Sequence, residues 1–450
     1  MKLYRYLLYG SVWLVFFVLL YMYFPPFWSS GIKTAIDTFI NAPLTYWWFI
    51  FPLIGLFMLL GLVLYYGIHF TASFGSGYKP KTPYYEEISI LIASKNEKIL
   101  LERTLDSIVN SDYPKEKIQI IIITSGSTDD TTEYSNNFST EHSEIDIKVL
   151  SKDLPKKGKP PALNLGLEYV KNDIVVLYDS GCILNSDTLK NLISPFHQEK
   201  TDAVIGPVLV KNWKDNKLTK GIFLDYGMVS GGGLLFEVKN RLGSSAYSFG
   251  RNFAVRTKYL RKYGGFNEDS MTEDLYLSVL LNLDGVLIRF SPKAKTYEYV
   301  PNSWEILVKQ RSRWMAGFKS DMPQLMKMKS EHKDGKKLII ARNLTMMILA
   351  NMDTWIPIEI GFAIFQFLIG EYYLLFWTLS CLFFQFGFLF NAIRKYCDKH
   401  YNLLLFFPIS GFIHLYMFLR QFRLPKEISW EKTPMLLERE EAEIESLSKM

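Results

Sequence analysis

ISILIA at residues 88–93, IQIIII at 118–123, DIKVL at 146–150 and IVVLY at 174–178 are the runs that decide the fold. Each has strand length and is apolar and β-branched enough to be buried on both faces, as in a sheet covered by helices on both sides. Helical periods lie between them, at about 97–110, 129–138 and 160–171. This rhythm predicts an α/β fold with a mainly parallel sheet. Ligands of such sheets bind outside the carboxyl ends of the strands, so the loops at 94–97, 124–129 and 179–181 are expected to converge. The stretch 203–300 is more irregular, and its Gly231-Gly232-Gly233 run reads as a flexible turn without chemistry.

Outside this region the composition changes. The chain has 450 residues, of which 49% are hydrophobic and 16% aromatic, and the apolar residues are clumped. Residues 6–24 and 46–70 contain no Asp, Glu or Lys, and each is long enough to cross a hydrocarbon core of roughly 30 Å as a helix. The first exceeds a signal-peptide core and lacks a small-residue cleavage pattern, so it is expected to be retained. Lys2 and Arg5 precede it, whereas Lys33 is the one cation in the 25–45 connection. That bias places the N-terminus, and with it the polar segment after residue 70, in the cytoplasm. Four C-terminal apolar segments follow, at 338–352, 353–369, 372–393 and 402–420. Three spans would leave the tail outside and four would return it, while a re-entrant 402–420 segment broken near Pro408 and Gly411 would reconcile the charge pattern with an inside tail.

The expected organisation is therefore two transmembrane helices in 1–75, a cytoplasmic domain in 76–300, amphipathic interfacial helices in 301–337, a transmembrane region in 338–421 and a charged tail in 422–450. In the interfacial segment Asn302 and Glu305 form a helix-capping pair. Trp304, Leu307, Val308, Arg311, Met315, Phe318, Met322 and Leu325 then share one helical face, suited either to the membrane interface or to packing on the domain. A net charge of +6 with no aromatic-interleaved basic stripe excludes nucleic acid as a partner. Near-membrane lysines such as Lys327, Lys329, Lys333, Lys336 and Lys337 suit lipid headgroups instead. Cys182, Cys381 and Cys397 are scattered and give neither a disulfide framework nor a zinc site.

The chemistry-bearing stretches come in a fixed order. Ala93-Ser94-Lys95-Asn96-Glu97 follows the first strand, Ser125-Gly126-Ser127-Thr128-Asp129-Asp130 the second, and Gly158-Lys159-Pro160-Pro161-Ala162-Leu163-Asn164 opens a helix. Asp179-Ser180-Gly181 follows IVVLY. Thr272-Glu273-Asp274 is followed, 36 residues after its aspartate, by Gln310-Arg311-Ser312-Arg313-Trp314. This ordered set resembles the inverting family-two glycosyltransferases, the group of cellulose, chitin and hyaluronan synthases and ceramide glucosyltransferase. The resemblance covers roughly residues 86–320 and implies a GT-A-like nucleotide-diphospho-sugar transferase domain inserted between transmembrane helices, working as an inverting hexosyltransferase of the cell membrane with its catalytic domain in the cytoplasm. The implied donor is a nucleotide sugar, UDP-linked, and the implied acceptor a polysaccharide or a lipid or lipid-linked carrier. Oligomeric state is not addressed by it.

The resemblance also implies roles. Ala93, Ser94 and Glu97 border the nucleotide, with Glu97 near the ribose; Lys159 approaches base or diphosphate; Asp179 holds a divalent cation, Mg or Mn. Asp274, beside Glu273, is the general base for the acceptor hydroxyl, a role generally contributing about 10²- to 10⁴-fold. Arg313 offers planar donors to the diphosphate, while Gln310 and Trp314 contact the acceptor, Trp314 as an apolar floor. Asp129 caps a helix. Arg251, in Gly250-Arg251-Asn252-Phe253-Ala254, touches phosphate or pairs with a carboxylate. The sequence departs from the family at Thr124 and Ser125, where relatives often carry acids, and at Gly181, where a second metal-binding acid would stand. These departures keep open a second reading, a catalytically silent membrane protein that retains the fold for saccharide binding or assembly.

Overall fold

The computed structural model describes residues 33–41, 50–75, 84–156, 158–198, 201–331 and 352–423. The expected span at 6–24, nearly all of 338–352, Lys333, Lys336, Lys337 and the tail 424–450 lie outside the described residues. The described residues divide into two units, the first built from those up to Gly75 and from Met352 to Asn391, the second from the others.

In the first unit the helix Ile50–Ser73 packs its C-terminal half on the helix Tyr372–Tyr396. Phe70 meets Phe384 with ring centroids 5.8 Å apart, and a Cβ on Gly387 would collide with the Phe70 ring, so a glycine permits the close approach. Asn391 Nδ2 donates to Ser73 Oγ at 2.9 Å, and Gln385 Nε2 to Glu359 Oε1 at 2.9 Å. Phe362, Ile364, Phe365 and Phe367 on the helix Met352–Leu368 are exposed. Among the described residues Leu374–Tyr396 and Tyr401–Arg420 are long and apolar enough to cross a membrane.

The second unit contains the expected α/β core. Strands β1 (Ile88–Ala93), β2 (Ile118–Ile123), β3 (Asp146–Leu150) and β4 (Ile174–Asp179) are mutually parallel in the order β3-β2-β1-β4. The helices between them, Lys98–Val109, Thr131–Glu141 and Lys159–Leu167, fall where the periodicity places them. Ile90, Ile120 and Val176 are fully buried at the centre of the sheet, and burying each such side chain contributes about 1.5–3 kcal/mol. Beyond β4 the chain adds short strands: β5 (Ile183–Leu184), β6 (Ala203–Ile205), β7 (Val208–Val210), β8 (Phe253–Arg256), β9 (Ile288–Phe290) and β10 (Thr296–Glu298). β8 runs antiparallel between β4 and β6, completing a seven-stranded sheet, and β5, β10 and β7 form a second sheet of three strands.

Two local expectations are corrected. Gly231 to Gly233 is no flexible turn, since it is buried, and a Cβ would strike the Val208 carbonyl at Gly231 and the Gly227 carbonyl at Gly233. The helix Trp304–Glu331 begins not with an Asn302–Glu305 pair but with Ser303, whose Oγ accepts from the Ile306 amide at 3.4 Å. The Asn302 carbonyl instead accepts from Asn216 Nδ2 at 2.7 Å.

The start of that helix's apolar face is covered by the C-terminal segment. Trp304 stacks on Phe412 with centroids 5.4 Å apart, and Leu307 is 1% exposed. The segment itself is broken into a 3-10 turn over Tyr401–Phe406 and a helix Phe407–Arg420, just ahead of Pro408. It packs on the helix Lys217–Asp225, where Gly221 leaves room for Ile409.

Candidate active site

The loops after the parallel strands do converge. The Asn96 amide donates to Ser127 Oγ at 3.3 Å, Asn96 Oδ1 accepts from the Thr128 amide at 2.8 Å, and the Glu97 amide donates to Thr131 Oγ1 at 3.0 Å. Asp129 Oδ1 accepts from the Thr131 amide at 3.0 Å, holding the start of the helix Thr131–Glu141. Ala93 ends β1, and Glu97 stands at the N-cap of Lys98–Val109 without a side-chain capping bond. The hydroxyls of Ser94, Ser125 and Ser180, at the ends of β1, β2 and β4, are buried with no hydrogen-bond partner. Buried hydroxyls are ordinarily satisfied, and these three stand at the adjacent ends of β1, β2 and β4, where a polar ligand or water could satisfy them.

Lys159 is the hub of the cleft. Its Nζ lies 2.5 Å from Asp179 Oδ1 and 3.5 Å from Glu273 Oε1, and donates to the Gly250 carbonyl at 3.0 Å. Burial works against its charge, but Asp179, Glu273 and Asp274 outweigh it and hold the ammonium above its ordinary range. Glu273 and Asp274 begin the helix Glu273–Leu283. Burial, against the lowering effect of Lys159 and with mutual repulsion, pushes the carboxyl of Glu273 up to about 7. Asp274 is raised by the same burial, and its Oδ1 accepts from the Leu275 amide at 2.7 Å. A carboxylate tuned upward in this way is a better proton acceptor near neutral pH.

Gly250 is also part of this constellation. It adopts φ +72°, and a Cβ there would lie 2.8 Å from Lys159 Nζ and 3.3 Å from Asp274 Oδ2. Arg251 takes the carboxylate option, with Nε 2.7 Å from Glu298 Oε2, and Tyr226 Oη donates to the same acid at 2.8 Å. Asn164, from the Lys159 motif, ties Phe266 down, accepting from its amide at 2.7 Å and donating to its carbonyl at 3.0 Å.

Arg313, on the helix Trp304–Glu331, is lowered by burial but faces Asp179, Glu273 and Asp274. Gln310 is buried, and Trp314 is half-buried with the Arg311 guanidinium 4.6 Å above its ring. Arg311 in turn binds buried Asp225 at 2.9 Å and Ser230 Oγ at 3.2 Å. His414 Nε2 meets the other Asp225 oxygen at 3.0 Å. Despite burial, His414 and Arg311 hold the Asp225 carboxyl down at about 2.

The turn after β4 explains the departure at Gly181. This residue adopts φ +92°, its amide donates to the Leu100 carbonyl at 3.1 Å and to Thr104 Oγ1 at 2.9 Å, and a Cβ would face the Leu100 side chain. A carboxylate at this position would be strained and aimed at a helix. Among the described residues no three His, Cys, Asp or Glu side chains cluster as metal ligands. Asp179 is the one carboxylate the β4 turn offers, and its Oδ1 is already paired with the Lys159 ammonium, so a cation there, Mg or Mn, would share that carboxylate with Lys159 and need further oxygens from ligand or water.

The sequence matches the family model described as glycosyltransferase like family 2 over residues 86–317. It is 30% identical over 236 residues to a probable glycosyltransferase, YdaM, of Bacillus subtilis, covering 51% of this chain and 55% of the relative. It is 29% identical over 272 residues to the beta-monoglucosyldiacylglycerol synthase of Nostoc, covering 58% and 56%. A poly-beta-1,6-N-acetyl-D-glucosamine synthase of Staphylococcus epidermidis is 30% identical over 234 residues, covering 52% and 54%. The chain thus spans just over half the length of these curated relatives. Among solved structures, a mannosyltransferase of Pyrobaculum calidifontis in complex with GDP-Man and Mn2+ superposes with a TM-score of 0.52 at 20% identity, covering 76% of this chain and 96% of that one. That likeness carries the fold, which is GT-A-like.

Proposed function

This chain belongs to glycosyltransferase-like family 2, and from that premise we propose that it is an integral-membrane, inverting hexosyltransferase. It moves a sugar from a nucleotide diphosphate, UDP-linked, to a polysaccharide or lipid-linked acceptor. The observation that carries this reading is the convergence of Lys159, Asp179, Glu273, Asp274 and Arg313 in one partly buried cluster at the strand ends that also bear three orphaned serine hydroxyls.

The donor nucleotide lies across Ala93, Ser94 and Glu97, with its diphosphate toward Lys159 and Arg313. A divalent cation held by Asp179 would neutralise charge on the leaving diphosphate. Asp274 accepts the acceptor hydroxyl proton as that oxygen forms its bond to the anomeric carbon. The bond from that carbon to the diphosphate oxygen breaks on the opposite face, which inverts the configuration. Cations fixed where negative charge develops stabilise the transition state without reorganising. Asp179 and the Gly250 carbonyl keep the Lys159 ammonium in place, with the Glu273 carboxyl beside it, and Gln310 with Trp314 forms the acceptor platform.

The exposed apolar side chains of the helix Met352–Leu368 and the apolar helix Leu374–Tyr396 support association with a membrane, while the multi-pass, cytoplasm-facing arrangement rests on the apolar runs of the sequence and its positive-inside charge bias. Relatives named for a glycolipid and for a polymer keep both acceptor classes in play. The test is donor profiling of the purified protein in lipid with Mg and Mn, followed by mass analysis of the product. A ladder of sizes identifies a polymerase and a single glycolipid a one-step transferase. No transfer or donor hydrolysis across UDP- and GDP-sugars would overturn the reading in favour of a silent binding protein.

A further inference from the structure

Thr272 occupies the N-cap of the helix that carries Glu273 and Asp274, where a threonine hydroxyl ordinarily accepts an amide from the first turn. It makes no such bond. Its Oγ1 instead donates to Asp321 Oδ2 at 2.5 Å, and Ser270 Oγ donates to the same oxygen at 2.5 Å. The Thr272 amide completes the knot, donating to Ser270 Oγ at 3.1 Å. Asp321 is 4% exposed and lies on the helix of the Gln-x-x-Arg-Trp motif, two turns beyond Arg313.

The contact is built along a single helical face. Gln310, Trp314, Gly317, Asp321 and Gln324 recur at intervals of four, three, four and three, so they line one side. A Cβ on Gly317 would lie 2.7 Å from Thr272 Cγ2, so the glycine allows the two helices to meet. Gln324 Nε2 donates to Tyr276 Oη at 2.9 Å, one turn into the catalytic helix. The face that bears Gln310 and Trp314 is therefore the face that grips the start of the helix carrying Asp274. Two short hydroxyl bonds to one carboxylate oxygen suit Asp321 to setting this register.

We infer that Asp321 is a positioning residue for glycosyl transfer: by holding Thr272 and Ser270 it fixes the Asp274 carboxylate relative to Gln310 and Trp314, so that base and acceptor platform move as one body. The inference rests on the transfer reaction proposed above. In Asp321→Ala the platform and base lose registration while Lys159 and Asp179 still face the donor. Misplacement on the order of 1 Å costs about 10²-fold.

The experiment compares wild type, Asp321→Ala, Asp321→Asn and Thr272→Val in lipid, with the donor found by profiling. The expected result for Asp321→Ala is a kcat for transfer lowered about 10- to 100-fold with little change in donor KM, and a larger share of donor lost to water. Asp321→Asn, which keeps an oxygen acceptor for both hydroxyls, recovers most of the rate. Thr272→Val, which removes one bond and no charge, gives a smaller loss of the same kind and serves where the alanine variant does not fold. Full transfer by Asp321→Ala or, if that variant does not fold, by Thr272→Val, or equal loss of donor binding and kcat without recovery by asparagine, overturns the inference. A wild type inactive on every donor overturns the transfer reading instead, so the two failures are distinguishable.

Discussion

Gly250→Ala tests the geometry of the site without removing any functional group. The residue sits at φ +72°, and a Cβ there comes within 2.8 Å of Lys159 Nζ, whereas ordinary contact begins at 3.4 Å. The ammonium must therefore retreat by about 0.6 Å, the difference of those two distances, away from the Gly250 carbonyl that it touches at 3.0 Å. If 1 Å of misplacement costs about 10²-fold, this shift lowers kcat/KM by about 10- to 20-fold, or about 1.4–1.8 kcal/mol. The left-handed backbone adds about 1–2 kcal/mol of destabilisation for any residue with a Cβ.

Gly243 separates the two effects, because it adopts φ +75° with nothing within 4 Å of a Cβ. Gly243→Ala carries the same strain and is expected to melt lower by a similar amount while keeping its transfer rate. Steady-state kinetics in lipid and thermal melts of both variants provide the assay. Equal kcat/KM for the two would refute the placement of Gly250 against the catalytic ammonium.

Glu273, raised to about 7, favours its neutral form in the fold, so its stabilising contribution is present below its ordinary value near 4.5 and is lost as pH rises through about 7. Above that pH its charge repels the diphosphate; donor KM is expected to rise between about pH 6 and 8 in wild type and to stay flat in Glu273→Gln. Gly181→Asp is expected to lower the melting temperature without tightening Mn binding by calorimetry, because its side chain faces Leu100; a gain in Mn affinity would contradict this. Asp225, depressed to about 2, contributes stability that is present above its ordinary value near 3.8 and lost as pH falls through about 2. Asp225→Asn leaves Arg311 and His414 facing a neutral amide and is expected to cost about 3–5 kcal/mol at pH 7 in denaturant titration, with a weaker acid dependence than wild type.

β1, β2 and β4 were legible because Ile and Val recur over six residues, long enough to distinguish them from loop, whereas β3, expected to be buried on both faces, is an edge strand with Asp146 and Lys148 exposed. β6, β8, β9 and β10 were not legible, since three or four residues carry no usable period. Lys159, Asp179, Glu273, Asp274 and Arg313 could be picked out because their motifs are local in sequence, and the fold gathers them in one cluster. Gly250 and Asp321 escaped because each matters through a neighbour far along the chain: Lys159 for one, Ser270 and Thr272 for the other. The glycine run at 231–233 misled because glycine signals freedom in isolation, whereas here it permits the close approach of buried carbonyls. Asn302 misled because a better-placed hydroxyl, Ser303, follows it.

The central claim is most directly tested by the single-turnover rate of Asp274→Asn in lipid, measured alongside donor affinity. The substitution keeps the side chain's shape and removes its capacity to accept a proton. The account predicts donor affinity near that of wild type and transfer slower by about 10²- to 10⁴-fold, the contribution of a positioned base. Transfer at the wild-type rate with donor bound would contradict it.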